Sequence, residues 1–330
     1  MLDSNGQLSP TIATVSNQPT EQIKAAALIL NTGGLVAFPT ETVYGLGADA
    51  SNEGAIARIY EVKNRPADHP LIIHIRDTSA VGHWAKDVAS YGLALMNDYW
   101  PGPMTLVFNR TVNAKNCVTG GQETVALRIP SHPLALELLH EFSNLGGHGL
   151  AAPSANRYGA VSPTTAQAVS EELSDFLGAS DLILDGGQSG VGVESTIIDC
   201  TGPAPVILRP GAVTKEMIEQ TTGLTIGEQS RASPRVSGSH EKHYSPNATV
   251  LIEGEPSRGE GLIALSSFET PEGVVRLAAP QTLEEYARDL YLALRKADEL
   301  KIETVRVFVP SGDGLAIAIR DRINRSAAKS

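Results

Sequence analysis

Two threonines directly follow a short buried-strand pattern near the start of the chain. Residues 33–50 read GGLVAFPTETVYGLGADA, in which the apolar run 35–39 is followed by Thr40, Thr42 and a Gly-x-Gly. Because alternate residues of an extended segment point the same way, the two hydroxyls predict one wall of a small polar pocket. A tight turn and a dinucleotide loop are the alternatives, but the Gly-x-Gly lacks a third glycine and a helix entry. We expect its glycines to let the backbone turn tightly under a ligand and Glu41 to point away, without a catalytic role.

A pair of cations lies on a proline-stiffened loop in KNRPADHPLIIHI, residues 63–75. Lys63 and Arg65 suit the phosphates of a nucleotide, since arginine offers a bidentate fork. The alternative, which a lone Lys-x-Arg favours, is a cationic helix C-terminus that balances the helix dipole. His74 lies inside an apolar strand, and its position alone favours a core histidine with satisfied hydrogen bonds.

Arg128 stands in the otherwise apolar run TVALRIP, and a buried arginine needs an anion from the protein or from a ligand. An internal Asp or Glu and a bound ligand both remain open as that anion. Farther along, LAAPSANRYGAVSP carries Ser154 and Asn156 into a loop that leads to Ser162, the predicted N-cap of a helix. Hydroxyls and backbone N–H groups at a helix N-terminus can bind an anion, although these residues are also ordinary turn and cap residues.

Alternating strands and helices position these side chains and predict an α/β domain whose close strand pair near 195–209 indicates a mixed sheet. The strand-like runs are LIIHI (71–75), MTLVF (104–108), TVALRI (124–129), GLAA (149–152), DLIL (181–184), STIID (195–199) and PVILR (205–209). The helical patterns run from Thr20 to Gly33 and over 53–62, 87–99, 131–142, 162–173 and 214–222, with Ser131 and Ser162 as N-caps.

The remaining segments divide the chain further. Residues 1–19 are predicted to form a loose, flexible tail, and the Ser-, Gly- and Pro-rich segment 223–247 is predicted to be a linker. Residues 248–330 carry strand and helix patterns of a small second α/β unit. The glycine-rich stretch 185–199 matches neither the phosphate-binding loop nor the dinucleotide fingerprint, because a strand follows it.

Composition limits the classes of function. A length of 330 residues suits two domains, and 42% hydrophobic with 19% charged residues is typical of a globular protein. The net charge of −11 argues against a broad nucleic-acid footprint. We expect the two cysteines to be buried thiols in a reducing compartment, and we find neither a signal-peptide pattern nor an apolar run long enough to span a bilayer. These features predict a cytoplasmic protein without membrane contact.

Seven stretches in one order over residues 20–212 resemble the threonylcarbamoyl-AMP synthase family in its long two-domain form. They are FPTETVYGLG, KNRP with PLIIHI, WPGPMTLVF, TVALRIP, AAPSAN, GVESTIID and LRPG. The resemblance implies a twisted mixed-sheet, YrdC-like catalytic domain over 20–222, a linker that closes over the active site, and a smaller Rossmann-like α/β domain. HYSP at 243–246 resembles the family's His-Tyr-Ala-Pro signature, with Ser245 in place of alanine.

The resemblance also implies a reaction in which L-threonine, bicarbonate or carbon dioxide, and ATP give threonylcarbamoyl-AMP and pyrophosphate. The product serves threonylcarbamoyladenosine modification of tRNA through a separate transferase complex. Magnesium is expected with ATP, because three cations only partly offset a tetra-anion. Stable nucleic-acid binding is not expected. An RNA-binding module and an inactive threonine or nucleotide sensor are the competing functions.

Site residues carried over by motif fall into two groups. Those implied for the nucleotide are Lys63, Arg65, His69, Thr124, Ser154, Asn156, Ser162, Arg209 and Tyr244, of which Lys63 and Arg65 are the catalytic candidates. Those implied for L-threonine are Thr40, Thr42, His74, Arg128, Ala152 and Ser195. Neither magnesium ligands nor a general base can be named from the sequence.

Overall fold

The computed structural model describes residues 11–14, 19–238 and 244–328. The strands in chain order are β1 (Thr11–Thr14), β2 (Val36–Phe38), β3 (Gly45–Asp49), β4 (Ile72–His74), β5 (Ala85–Lys86), β6 (Met104–Arg110), β7 (Thr124–Arg128), β8 (Leu150–Ala151), β9 (Leu182–Asp185), β10 (Thr196–Asp199), β11 (Val206–Arg209), β12 (Thr249–Ile252), β13 (Gly261–Ile263), β14 (Val275–Ala278) and β15 (Thr304–Val307). The helices are α1 (Pro19–Asn31), α2 (Glu53–Lys63), α3 (Val81–Trp84), α4 (Ser90–Tyr99), α5 (Asn116–Thr119), α6 (Pro133–Asn144), α7 (Ala166–Leu173), α8 (Lys215–Thr222), α9 (Leu283–Glu299) and α10 (Leu315–Ala327).

Strands β1–β11 form one large mixed sheet in the order β1-β9-β2-β3-β8-β4-β7-β6-β10-β11, with β5 beside β6. The sheet contains both parallel pairs, such as β4 with β7, and antiparallel pairs, such as β6 with β7. The other four strands form a parallel sheet in the order β12-β15-β13-β14. The predicted α/β fold, with a mixed-sheet domain and a smaller second domain, is therefore confirmed.

Several expected elements differ from the structure. The predicted loose tail contains β1, which pairs in parallel with β9, while residues 1–10 and 15–18 lie outside the described part of the chain. The Gly-x-Gly is strand β3 rather than a tight turn. A Cβ on Gly47 would lie 2.8 Å from a ring carbon of Phe38, so glycine is needed there because the neighbouring strand's ring packs against the backbone.

Two predicted N-caps are wrong, because the hydroxyls concerned are not used as caps. The Nδ1 of His132, rather than Ser131, accepts the hydrogen bond that caps α6. The hydroxyl of Thr165, rather than Ser162, caps α7. Helix α7 therefore begins four residues after Ser162, and the expected anion site at a helix N-terminus does not form at that serine.

The two cysteines differ in burial. Cys200 is buried as expected, but Cys117 is only partly buried, and both are free thiols. Within the described ranges, no helix combines the length and the apolar character that a bilayer crossing requires.

The glycine-rich stretch 185–199 forms part of the contact between the two domains. Gly192 has a φ of +78°, and a Cβ there would lie 2.3 Å from the Cα of Arg288 in α9. Val193 next to it lies in one apolar cluster with Tyr286 and Leu290 of the same helix. The stretch that matched no nucleotide signature thus lets a helix of the C-terminal domain approach the backbone of the first domain.

We expect Gly192→Ala to weaken the packing of α9 against the first domain. Gly187→Ala is the matched control, since Gly187 has the same φ of +78° but no heavy atom within 4 Å of an added Cβ. The control should cost about 1–2 kcal/mol of unfolding free energy from backbone strain, and Gly192→Ala roughly 1–3 kcal/mol more from overpacking. Urea unfolding and limited proteolysis of segment 223–247 would measure both effects. Equal costs for the two variants would contradict the contact.

Candidate active site

A cleft lies where the first domain and the linker meet. Its walls come from the segment after β2 and the start of β3, from the loop after α2, from β4 and β7, from the segment after β8, from the loop before β10, from the end of β11, and from the linker. The described residues that line it are Thr40, Thr42, Val43, Tyr44, Gly45, Arg65, Ile72, His74, Arg128, Ala152, Pro153, Ser154, Glu194, Ser195, Arg209, Ser237, Gly238 and Tyr244. All six residues implied for L-threonine and four of the nine implied for the nucleotide meet there.

Two arginines on the cleft are buried without a carboxylate partner among the described residues. The Nη2 of Arg65 donates to the carbonyl of Pro70 (3.0 Å) and to the hydroxyl of Ser237 (3.1 Å), and its buried Nε has no partner in the part of the chain that the structure describes. Arg209 donates to the carbonyl of Ser195 (Nη2, 2.9 Å) and to the carbonyl of Ser237 (Nη1, 3.0 Å). Burial lowers the pKa of both guanidinium groups. Two buried cations with only neutral acceptors favour an anion in the space between them.

Arg128, at the other side of the cleft, has an internal partner. Its Nη2 donates to Glu41 (2.6 Å) and its Nη1 to the hydroxyl of Thr42 (2.9 Å). Glu41 also accepts from the backbone N–H of Ser131. Burial raises the pKa of the Glu41 carboxyl, but Arg128 opposes this effect and lowers that pKa overall. Glu41 is not among the described residues that line the cleft, and its carboxylate balances the charge of Arg128 from outside that lining.

Hydroxyl groups surround this arginine. Thr40 and Thr42 hydrogen-bond each other at 2.8 Å, as their shared side of the segment predicted, and Thr40 also donates to the carbonyl of Val43. Ser195 pairs with the hydroxyl of Thr105 at 2.8 Å. The cleft therefore presents a run of hydroxyls between Arg128 and Arg209.

His74 is buried on the cleft, yet its Nδ1 has no hydrogen-bond partner among the described residues. Burial lowers the pKa of the imidazole to about 3, reinforced by the charge of Arg128. The ring is therefore neutral near pH 7, and it meets the ring of Phe38 edge to face. A core histidine with satisfied hydrogen bonds, the alternative that its sequence position favoured, does not describe this residue.

Lys63 and Asn156 lie behind the cleft wall rather than on it. The Nζ of Lys63 donates to the carbonyls of Ser154 (2.6 Å) and Asn156, so the ammonium holds the turn that carries Ser154. Burial lowers the pKa of Lys63 well below its ordinary value, and the charge of Arg65 adds to the effect. The amide of Asn156 donates to the carbonyls of Arg157 and Ala160. Their contacts with a nucleotide stay predictions.

Three further nucleotide candidates also lie away from the cleft. Thr124 lines a separate small hollow, and Ser237 lines both that hollow and the cleft. His69 meets the ring of Tyr158 edge to face. The hydroxyl of Ser162 donates to Glu194 at 2.6 Å. None of these three candidates is among the described residues that line the cleft.

Sequence reasoning missed Glu194, the one carboxylate among the described residues that line the cleft. Besides Ser162, it accepts from the hydroxyl of Tyr291 (2.9 Å) and from the Nε of Arg322 (2.7 Å). Burial raises its pKa, but Arg322 and Arg209 outweigh burial and lower that pKa to about 2. The available signal was an acid inside the motif GVESTIID, but two of its three partners lie in the C-terminal domain.

Tyr244 closes one side of the cleft from the linker. It is 1% exposed, and its ring stacks on that of Tyr291 with centroids 5.5 Å apart. Its φ of +61° is unusual for a residue with a side chain, so the surrounding contacts must hold it there. His243, the other aromatic residue of the HYSP stretch, lies outside the described residues.

The chain is similar to known proteins over most of its length. A family model described as telomere recombination, for Sua5, YciO and YrdC proteins, matches residues 28–211, and a model described as the threonylcarbamoyl-AMP synthase C-terminal domain matches residues 213–328. A threonylcarbamoyl-AMP synthase of Pyrococcus abyssi is 38% identical over 329 residues, covering 93% of this chain and 94% of the relative. One from Bacillus subtilis is 39% identical over 337 residues, covering 94% of each. The crystal structure of P. abyssi Sua5 complexed with L-threonine superposes with a TM-score of 0.87, at 36% identity, over 96% of this chain and 97% of that one.

Glu194 should make the stability of the protein depend on acid pH. Because its folded pKa of about 2 is below its ordinary value of 4.5, its stabilising contribution is complete above about pH 4.5. That contribution is lost as the pH falls toward 2. Over this window we expect the unfolding free energy of the wild type to fall more than that of Glu194→Gln, by on the order of 3 kcal/mol. Urea unfolding at a series of pH values measures the difference, and parallel curves below pH 4.5 would refute it.

Proposed function

The chain belongs to the threonylcarbamoyl-AMP synthase family, and from that membership we propose that it condenses L-threonine, bicarbonate and ATP to threonylcarbamoyl-AMP, pyrophosphate and water. The observation that carries the proposal is the pair of buried arginines, Arg65 and Arg209, that face one cleft without a carboxylate partner among the described residues. The phosphates of ATP supply the missing anion. The hydroxyl-lined region beside Arg128 receives the amino acid.

Arg128 retains donors for the threonine carboxylate. Arginine has five N–H donors, and three of these are used in bonds to Gly102, Thr42 and Glu41. One donor remains on each terminal nitrogen, which is the geometry that a carboxylate accepts from a guanidinium. The unpartnered Nδ1 of His74 offers a neutral hydrogen-bonding group nearby for the rest of the substrate.

The chemistry requires no covalent intermediate on the protein. Bicarbonate takes up a proton and releases water to give carbon dioxide. The threonine ammonium group loses a proton, and the resulting amine adds to the carbon dioxide and gives up a further proton to form a carbamate. A carbamate oxygen then attacks the α-phosphorus in line, and pyrophosphate leaves. The protein contributes orientation and positive charge, supplied here by Arg65 and Arg209. We assign the proton loss to desolvation, because burial beside Arg128 lowers the pKa of an ammonium group.

Magnesium is proposed as the companion of ATP. The described residues contain no group of three His, Cys, Asp or Glu that could hold an ion alone. Both oxygens of Glu194 are already engaged by Ser162, Tyr291 and Arg322. An ion that joins the cleft would therefore be held by the triphosphate, whose charge it would partly neutralise.

The linker is proposed to act as a lid, and its described residues that line the cleft are Ser237, Gly238 and Tyr244. Ser237 engages both Arg65 and Arg209, while Val236 packs in the apolar hollow next to Thr124. A nucleotide that reaches Thr124 as well as both arginines must displace these contacts. Lys63, at the end of α2, would act on the phosphates only after its bonds to the 154–156 turn are exchanged.

The setting of the reaction follows from the same proposal. The adenylate would be passed to a separate transferase complex that modifies adenosine in tRNA. A net charge of −11 supports a protein that does not itself hold tRNA tightly. We propose a cytoplasmic location, where ATP, threonine and tRNA are all present.

The decisive assay follows pyrophosphate release from ATP with Mg²⁺ while threonine and bicarbonate are supplied or withheld. We expect release only when both are present, because the carbamate that attacks ATP forms from the two together. Mass spectrometry should detect threonylcarbamoyl-AMP in the same reaction. Pyrophosphate release that does not depend on threonine or on bicarbonate would refute the proposed reaction.

Substitutions of Arg128 and Arg209 should affect the KM values of different substrates. We expect Arg128→Ala to raise the KM for threonine by about 10–100-fold, with a smaller effect on ATP, because it removes a charge-assisted pair with a carboxylate. Arg209→Ala should show the opposite selectivity and raise the KM for ATP. Thermal unfolding of both variants checks that they fold. An equal rise of both KM values in both variants would contradict the assignment.

A further inference from the structure

Arg322 of α10 is fully buried in the C-terminal domain, and it contacts two residues that line the cleft and one residue that directly follows a third. Its Nε donates to Glu194 at 2.7 Å and its Nη2 donates to the carbonyl of Pro210 at 3.0 Å. Its Cζ lies 5.4 Å from the ring centroid of Tyr244. One side chain thus connects the loop before β10, the residue after Arg209 and the linker.

Arg322 and Arg325 form a charge cluster with Glu194 and Asp321, and the two positive and two negative charges cancel. Glu194 and Asp321 are the two carboxylates, and Arg322 bonds to both while Arg325 bonds to Asp321. Glu194 is also close enough to Arg209 for the charge of Arg209 to lower the pKa of that carboxyl. Arg209 nevertheless makes its hydrogen bonds to the neutral acceptors of Ser195 and Ser237. The pairing with Arg322 therefore leaves Arg209 as the uncompensated cation.

We propose that Arg322 is a positioning residue for the nucleotide: by neutralising Glu194 and holding Pro210, it keeps Arg209 available to the phosphates of ATP. This inference rests on the proposed function, because it assumes that the anion beside Arg209 is ATP. It also gives the C-terminal domain a role in the reaction. Without Arg322, the nearest cation for the buried Glu194 carboxylate is Arg209, and that pairing would compete with the nucleotide.

The charge relation predicts opposite effects for substitutions of the two partners. Arg322→Met leaves Glu194 uncompensated and should raise the KM and the Kd for ATP by about 10-fold or more, with the KM for threonine changed less than about 3-fold. Glu194→Gln removes the competing negative charge and should lower the Kd for ATP by about 3-fold, even though it lowers stability. The double variant Glu194→Gln/Arg322→Met should return the Kd for ATP to within about 3-fold of the wild type.

A purely structural role predicts a different pattern. If the cluster only held the domains together, both single variants would weaken ATP binding, and the double variant would be no better than Arg322→Met. Tyr291→Phe removes one hydrogen bond to Glu194 without a change of charge and should alter the Kd for ATP by less than about 3-fold. Arg258→Met, which breaks an exposed pair with Glu272 in the same domain, is the surface control.

The experiment measures ATP binding by calorimetry and both KM values by pyrophosphate release, on the full chain and at fixed ionic strength. A wild type that releases no pyrophosphate would refute the proposed function itself. A working wild type together with a Glu194→Gln variant that binds ATP about 10-fold more weakly would overturn the inference alone. Should Arg322→Met fail to fold, the sign of the Glu194→Gln effect still decides between the two roles.

Discussion

The ion pair between Glu194 and Arg322 joins the two domains at the point where the cleft is built. A carboxylate buried to this extent is costly unless it is paired and hydrogen-bonded, and here Ser162, Tyr291 and Arg322 satisfy it together. Two of those three partners come from the C-terminal domain. The first domain alone would therefore leave Arg209 as the cation that acts on Glu194, beside the candidate nucleotide site.

The same rule of charge balance explains how the cleft is divided. Arg128 is matched by Glu41, and Arg322 is matched by Glu194, whereas Arg65 and Arg209 meet only neutral acceptors among the described residues. The matched pairs fix the shape of the walls. The unmatched pair creates a region of positive potential that a polyanion can fill, which is the arrangement that phosphoryl-transfer sites use.

The motifs identified many of the residues around the cleft, but they did not show which of those residues face the cleft and which lie inside its wall. Arg65 was found as a cation on a proline-stiffened loop and Arg128 as a cation in an apolar strand, whereas Arg209 was carried over from the motif LRPG. Lys63 and Ser162 carry equally strong local signals, yet both hydrogen-bond inside the wall. The predicted role of Gly47 was wrong for a similar reason. Glycine is needed there because the ring of Phe38 on the adjacent strand packs against it, not because the backbone turns at Gly47.

The sequence by itself determined the class of fold, most of the helices and strands along the chain, and the family, because hydrophobic periodicity and short motifs are local properties. Only the tertiary structure decided which buried charges are paired. Glu41 lies 87 residues from Arg128 along the chain, and Glu194 lies 128 residues from Arg322. The state of a buried charge depends on the groups that packing brings within hydrogen-bond distance, and no local pattern in the chain specifies partners that far apart.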